Sequence, residues 1–124
     1  MKILLPDGRK APIGYSNGIS VDSRQVGCDA QQNFMSEEIS SQFYQAFHNI
    51  LAVLENAGGL AEHIYPITAF CIDKPSYLEA SSKLGKIWGN LMGKHYPAMS
   101  MIFVYDLLDY PAKIELEATA VIPN

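Results

Sequence analysis

Residues Ala98 to Tyr105 impose the strictest condition on the fold. Side chains alternate along a strand, so one face carries Met99, Met101, Phe103 and Tyr105 and the other Ala98, Ser100, Ile102 and Val104. Both faces are largely apolar, the pattern of a strand covered on both sides. After the turn Asp106-Leu107-Leu108-Asp109-Tyr110-Pro111, a second strand is expected from Lys113 to Val121. It alternates Ile114, Leu116 and Ala118 on one face with Glu115 and Glu117 on the other. A chain holding these two strands must build a sheet and cover it.

The cover comes from two helices. Ile39, Phe43, Ala46, Phe47, Ile50, Val53, Leu54 and Ala57 recur at helical spacing and form one apolar stripe. Ser36 is placed as its N-cap, Glu37 and Glu38 suit the positive end of its dipole, and Gly58-Gly59 supplies the stop. A second helix follows the turn Asp73-Lys74-Pro75-Ser76, with Tyr77, Leu78, Ser81, Leu84, Trp88, Leu91 and Met92 inward and Gly93 as its end. Ile64 to Ile72, rich in β-branched and aromatic residues, reads as the strand between the helices. Tyr15 to Val21 reads as an earlier strand closed by an Asp22-Ser23 turn, and Arg24 to Phe34 reads as mostly loop. The segment from Met1 to Gly14, punctuated by Pro6, Asp7-Gly8 and Pro12, reads as turns or a short hairpin. The order predicts an α+β unit, two helices on one face of a mixed sheet. The other face then needs a cover from outside the chain, and a second copy is the economical one.

Composition narrows the function. At 124 residues the chain is one domain spanning 1–124, and 48% hydrophobic with 18% charged residues is ordinary globular composition. A net charge of −4, with no Lys/Arg run longer than two, opposes a phosphate backbone, so no nucleic-acid partner is expected. No apolar run approaches the roughly 20 residues of a membrane span, and no membrane partner is expected. Two cysteines, Cys28 and Cys71, with no secretion signal at the start, fit free thiols and a cytoplasmic location. His48, His63 and His95 have no ligand spacing, so neither a metal nor another cofactor is expected.

Three anchors carry a resemblance. Gly14-Tyr15-Ser16-Asn17-Gly18 is similar to a Gly-Pro-Tyr-Ser-Gln opening. Ala46 to Gly58 contains Asn49-Ile50 before Leu54-Glu55-Asn56-Ala57-Gly58, and the last is Tyr96-Pro97-Ala98 followed by Glu115-Leu116-Glu117-Ala118-Thr119-Ala120. In this order they resemble the RidA family, also called YjgF, from Tyr15 onward. The resemblance implies a fold like trimeric chorismate mutase, a homotrimer, and small-molecule clefts between subunits. It implies a hydrolytic enamine or imine deaminase in which Glu115 is the catalytic group that positions the attacking water. Tyr15, Met99 and Met101 would border the substrate. Met99 stands where deaminating members have an Arg that anchors the substrate carboxylate, and a thioether cannot do so. Met101 stands at a family Cys. Lys94 and His95 are candidates for a replacement cation.

A second departure concerns the family's strand ending in Ser/Ala-Gly-Gln-Ile. Arg24-Gln25-Val26 runs into Gly27-Cys28-Asp29, which predicts a gap of about eight residues, most of a strand. Three functions stay open: a deaminase, a non-catalytic trimer binding an apolar metabolite, and an endoribonuclease, the last opposed by the acidic balance. The bland readings stand beside them, with Glu117 on a solvated face and Trp88, Met92, Met99 and Met101 as packing.

Overall fold

The computed structural model describes residues 2–3, 18–29, 31 and 33–123. Its elements are β1 (Lys2–Ile3), β2 (Gly18–Val26), α1 (Ile39–Asn56), a 3-10 turn (Ala61–His63), β3 (Ile64–Cys71), α2 (Lys74–Glu79), α3 (Ser81–Met92), β4 (Met99–Phe103) and β5 (Ile114–Pro123). The strands form one mixed sheet in the order β1-β2-β5-β3-β4, with β3 and β4 parallel and the other pairs antiparallel. Phe43, Phe47, Ile50 and Leu54 of α1 and Leu84 and Met92 of α3 join Ile67, Ala69, Cys71, Leu116 and Ala118 of the sheet in one core. The α+β arrangement with helices on one face is as expected.

Long β5 organises the sheet. Ile114, Leu116, Ala118, Ala120 and Ile122 are buried beneath the helices, while Glu115, Glu117, Thr119 and Val121 between them are half-buried on the other face. That alternation fixes register, because a one-residue slip would bury the carboxylates and expose the aliphatic row.

Several boundaries move. Asp22-Ser23 is not a turn: β2 runs through both and pairs with β5 from Gly18 opposite Pro123 to Val26 opposite Glu115. Nine cross-strand pairings override the local turn preference of two polar residues, and Thr119 donates to Asp22 at 2.8 Å across the pair. Arg24 to Val26 therefore belong to a strand, and the irregular segment starts at Gly27. The described strands pair in one continuous five-stranded sheet. β2 has its own antiparallel neighbour in Lys2–Ile3, and it ends in Ser23-Arg24-Gln25-Val26, which fits the Ser/Ala-Gly-Gln-Ile pattern with Arg24 at the glycine. Of the opening anchor Gly14–Gly18 only Gly18, the first residue of β2, is described, and Tyr15 lies outside the described residues.

The first helix starts later than Ser36 implies. Its N-cap is Glu38, and Ser36 Oγ instead accepts from the Glu38 amide at 3.0 Å, ahead of the helix. Val53 is 38% exposed and leaves the apolar stripe, whereas Gln42 is fully buried within it. Gly58, at φ +83°, ends α1 as expected. The second helix breaks at Ala80 into α2 and α3. Asp73 caps α2 by accepting from the Ser76 amide and hydroxyl at 3.0 and 2.7 Å, which holds its carboxyl below the usual range. Register shifts between Ile64 and Ile67, where Pro66 lacks the N–H that the ladder would use.

Within one chain β4 is an edge strand, so the face expected to be covered lies open. On that face Ile102 is about two-fifths exposed, as are Met99 and Phe103 on the helix side of the same strand, and Tyr105, Leu108 and Tyr110 beyond them are almost fully exposed.

Candidate functional site

Glu115 lies on the open sheet face, near the start of the central strand β5. Its cross-strand neighbours there are Val26 on β2 and Phe70 on β3, and Ile102 lies beyond Phe70 on β4. The next row along is Arg24, Glu117, Thr68 and Ser100. The Glu115 side chain is 21% exposed, flanked by apolar groups yet open to water.

Arg24 sits diagonally across from it. Its Nη2 contacts Glu117 Oε2 directly, its Nε lies 3.6 Å from Glu115 Oε1, and its guanidinium carbon lies 5.7 Å from the centre of the Phe70 ring. The first is a charge-assisted hydrogen bond, the second a coulombic contact too long for one, and the third a cation–π contact. Glu117 chiefly, with help from Glu115, raises the Arg24 pKa further above its ordinary value. The Glu115–Arg24–Glu117 set carries one net negative charge.

The end of β2 is anchored from behind. Asn49 on α1 donates to the carbonyls of Cys28 and Val26 at 2.7 and 3.3 Å. Cys28 bridges to Phe34, and Val26, Cys28, Phe34, Asp109 and Tyr110 line a cavity of about 310 Å³ beside the Glu115 row. Gln42 anchors the start of β5, accepting from the Lys113 amide at 2.7 Å and donating to the carbonyls of Ser36 and Pro111 at 3.0 and 3.1 Å.

The other expected residues lie elsewhere. Met99 pairs with buried Ile67 and Met101 with buried Ala69, so both turn toward the helices, on the face opposite Glu115. Met99 borders an apolar recess of about 360 Å³ with Gly85, Trp88, Tyr96 and Pro97, where the Trp88 and Tyr96 rings stack at 6.3 Å. Met101 packs against the core. One protomer therefore does not bring Met99 or Met101 to Glu115. His95 is held by structure: its ring packs edge-on against Tyr65 at 4.9 Å, and its Nε2 lies 3.0 Å from the Ile64 carbonyl. Lys94 is exposed at the opposite end of the sheet from Glu115. Among the described residues the cation that meets Glu115 is Arg24, on β2 rather than in the loop expected over Arg24 to Phe34. The signal for it was a basic residue on the same face as Asp22 in one strand, set against Glu-x-Glu in another.

Comparison with known proteins decides the family. The model of the family described as Endoribonuclease L-PSP matches residues 10–122. The chain belongs to this family, the Rid/YjgF group. A RutC family protein from Aquifex aeolicus is 28% identical over 116 residues, covering 89% of this chain and 90% of the relative. Among solved structures, YyfA from Yersinia pestis, a protein of unknown function of the conserved Rid protein family, superposes with a TM-score of 0.71 at 26% identity, covering 90% of each chain. RidA from the Antarctic bacterium Psychrobacter superposes with a TM-score of 0.71 at 24% identity, covering 98% of this chain and 99% of its own, and supports the fold. No helix among the described residues is long and apolar enough to cross a membrane.

Proposed function

We propose that this Rid-family protein is a cytoplasmic homotrimer that hydrolyses a small enamine or imine in clefts between subunits, with Glu115 as its acid–base residue. The observation that carries the reading is Glu115 itself, a carboxylate 21% exposed on the open face, set in a row with Val26, Phe70 and Ile102. Glu115 takes a proton from water as the oxygen bonds to the imine carbon, and returns a proton to nitrogen. Collapse of the carbinolamine breaks the C–N bond and releases ammonia and the carbonyl compound. Tyr15 is proposed at the rim of the cleft.

The trimer has support in the exposed apolar surface around β4. A neighbouring copy would cover Ile102, and it would also allow Met99 and Met101 of one subunit to border Glu115 of the next. Met99 favours a second reading, a non-catalytic trimer whose apolar recess beside Trp88 and Tyr96 holds a metabolite. An RNA-cleaving role is disfavoured by the net charge of −4 and by the carboxylates of the open face.

Ammonia release from freshly generated imines separates the two readings. Release proportional to protein concentration supports the enzyme, and binding of the product carbonyl compound without release supports the binding module.

A further inference from the structure

We infer that Glu117 sets the charge specificity of the Glu115 site by engaging Arg24, so that the site favours imines without a carboxylate over those bearing one. This rests on the imine-hydrolysis reading and names the substrate class of that same site. Among the described residues Arg24 is the cation in contact with Glu115, and its strongest partner is not Glu115 but Glu117, directly opposite on β5. The guanidinium carbon also lies 5.7 Å from the centre of the Phe70 ring, so its charge is shared between Glu117 and that ring. Lys113, two residues before Glu115, lines a hollow with Glu38 and Ser76 and feels Asp73 instead. Met99 supplies no charge. An incoming carboxylate would therefore meet a cluster of net −1 and would have to displace Glu117 to reach Arg24, whereas a neutral imine or cationic iminium pays no such penalty.

Glu117→Gln leaves the strand shape intact and removes the competing charge. The measurement is kcat/KM for 2-iminobutanoate relative to butan-1-imine, each generated in the cuvette, with 2-oxobutanoate binding followed by NMR titration as an independent readout. The variant should raise the ratio about threefold or more through KM, and tighten 2-oxobutanoate by a similar factor, the scale of one exposed charge contact. Both gains should shrink with added salt and vanish in Arg24→Gln/Glu117→Gln. An unchanged 2-oxobutanoate affinity in Glu117→Gln, or a gain surviving in the double variant, overturns the inference. If no imine is hydrolysed by any form, the deaminase reading fails, and the 2-oxobutanoate titration still decides whether Glu117 withholds Arg24.

Discussion

Gln42 is the buried residue whose replacement should be felt furthest from its own position. It is 1% exposed and joins three segments: the approach to α1 through Ser36, the β4–β5 turn through Pro111, and the first residue before β5 through Lys113. Gln42→Leu keeps nearly the same volume but removes all three hydrogen bonds. The Lys113 amide loses its acceptor, and two carbonyls lose a donor. Each buried polar group left unpaired costs about 1–3 kcal/mol. Ser36, Pro111 and Lys113 are half-buried, so water recovers part of that, and a total of about 2–3 kcal/mol is expected. Gln42→Ala adds an unfilled volume and should cost about 4–5 kcal/mol, by analogy with large-to-small core changes. A chain of this length holds roughly 6–19 kcal/mol in all. Urea unfolding of the two variants gives both numbers from the shift in midpoint at constant slope. A Gln42→Leu protein within about 0.5 kcal/mol of the unmodified one would refute the reasoning, because volume alone would then explain the site.

Three further outcomes follow from particular contacts. Gly27→Ala should destabilise by more than about 1 kcal/mol in the same assay, since a Cβ there would come within 2.6 Å of the Gln42 Cα and backbone atoms cannot rotate aside. Asp73 and Glu38 have carboxyls lowered, respectively, by the Ser76 amide and by the Ser40 hydroxyl with Lys83. A depressed folded value stabilises above the unfolded one and is lost as pH falls through the folded one, so Tm should drop between about pH 5 and pH 3. Asp73→Asn, which can still cap, should flatten that slope without a large change at neutral pH. Met99→Arg should raise turnover of 2-iminobutanoate by at least about tenfold if a neighbouring copy brings residue 99 to Glu115. No gain, in a variant that sediments as the parent does, would count against that intersubunit cleft.

Much of the fold was legible because its long elements have strong periods. The stripe from Ile39 to Leu54, Val53 apart, and the alternation from Ile114 to Ala120 are read correctly because burial on one face selects the residue types directly. What failed was local polarity competing with pairing. Asp22-Ser23 looks like a turn in isolation, and only the nine-residue match to β5 makes it strand. The same local polarity places Arg24 in a loop, whereas Lys94 and His95 stand out as cation candidates because they immediately precede the Met99 strand. Gln42 escaped because a glutamine among apolar helix positions reads as the exposed side, and its three backbone partners are distant in sequence. Ser36 misled in the opposite direction: a good capping residue caps the turn before the helix rather than the helix. At the proposed site, Glu115 is on the open face as the alternation requires, whereas Met99 and Met101 turn the other way by the same parity rule.

The central claim is that Glu115 moves protons for imine hydrolysis, and Glu115→Gln tests it most directly. The amide preserves shape and sheet pairing while removing the base. Ammonia release from butan-1-imine should fall by about a hundredfold or more, the usual contribution of a positioned acid–base group, with assembly state and thermal midpoint close to those of the parent. Undiminished release from a correctly assembled Glu115→Gln protein would contradict the account.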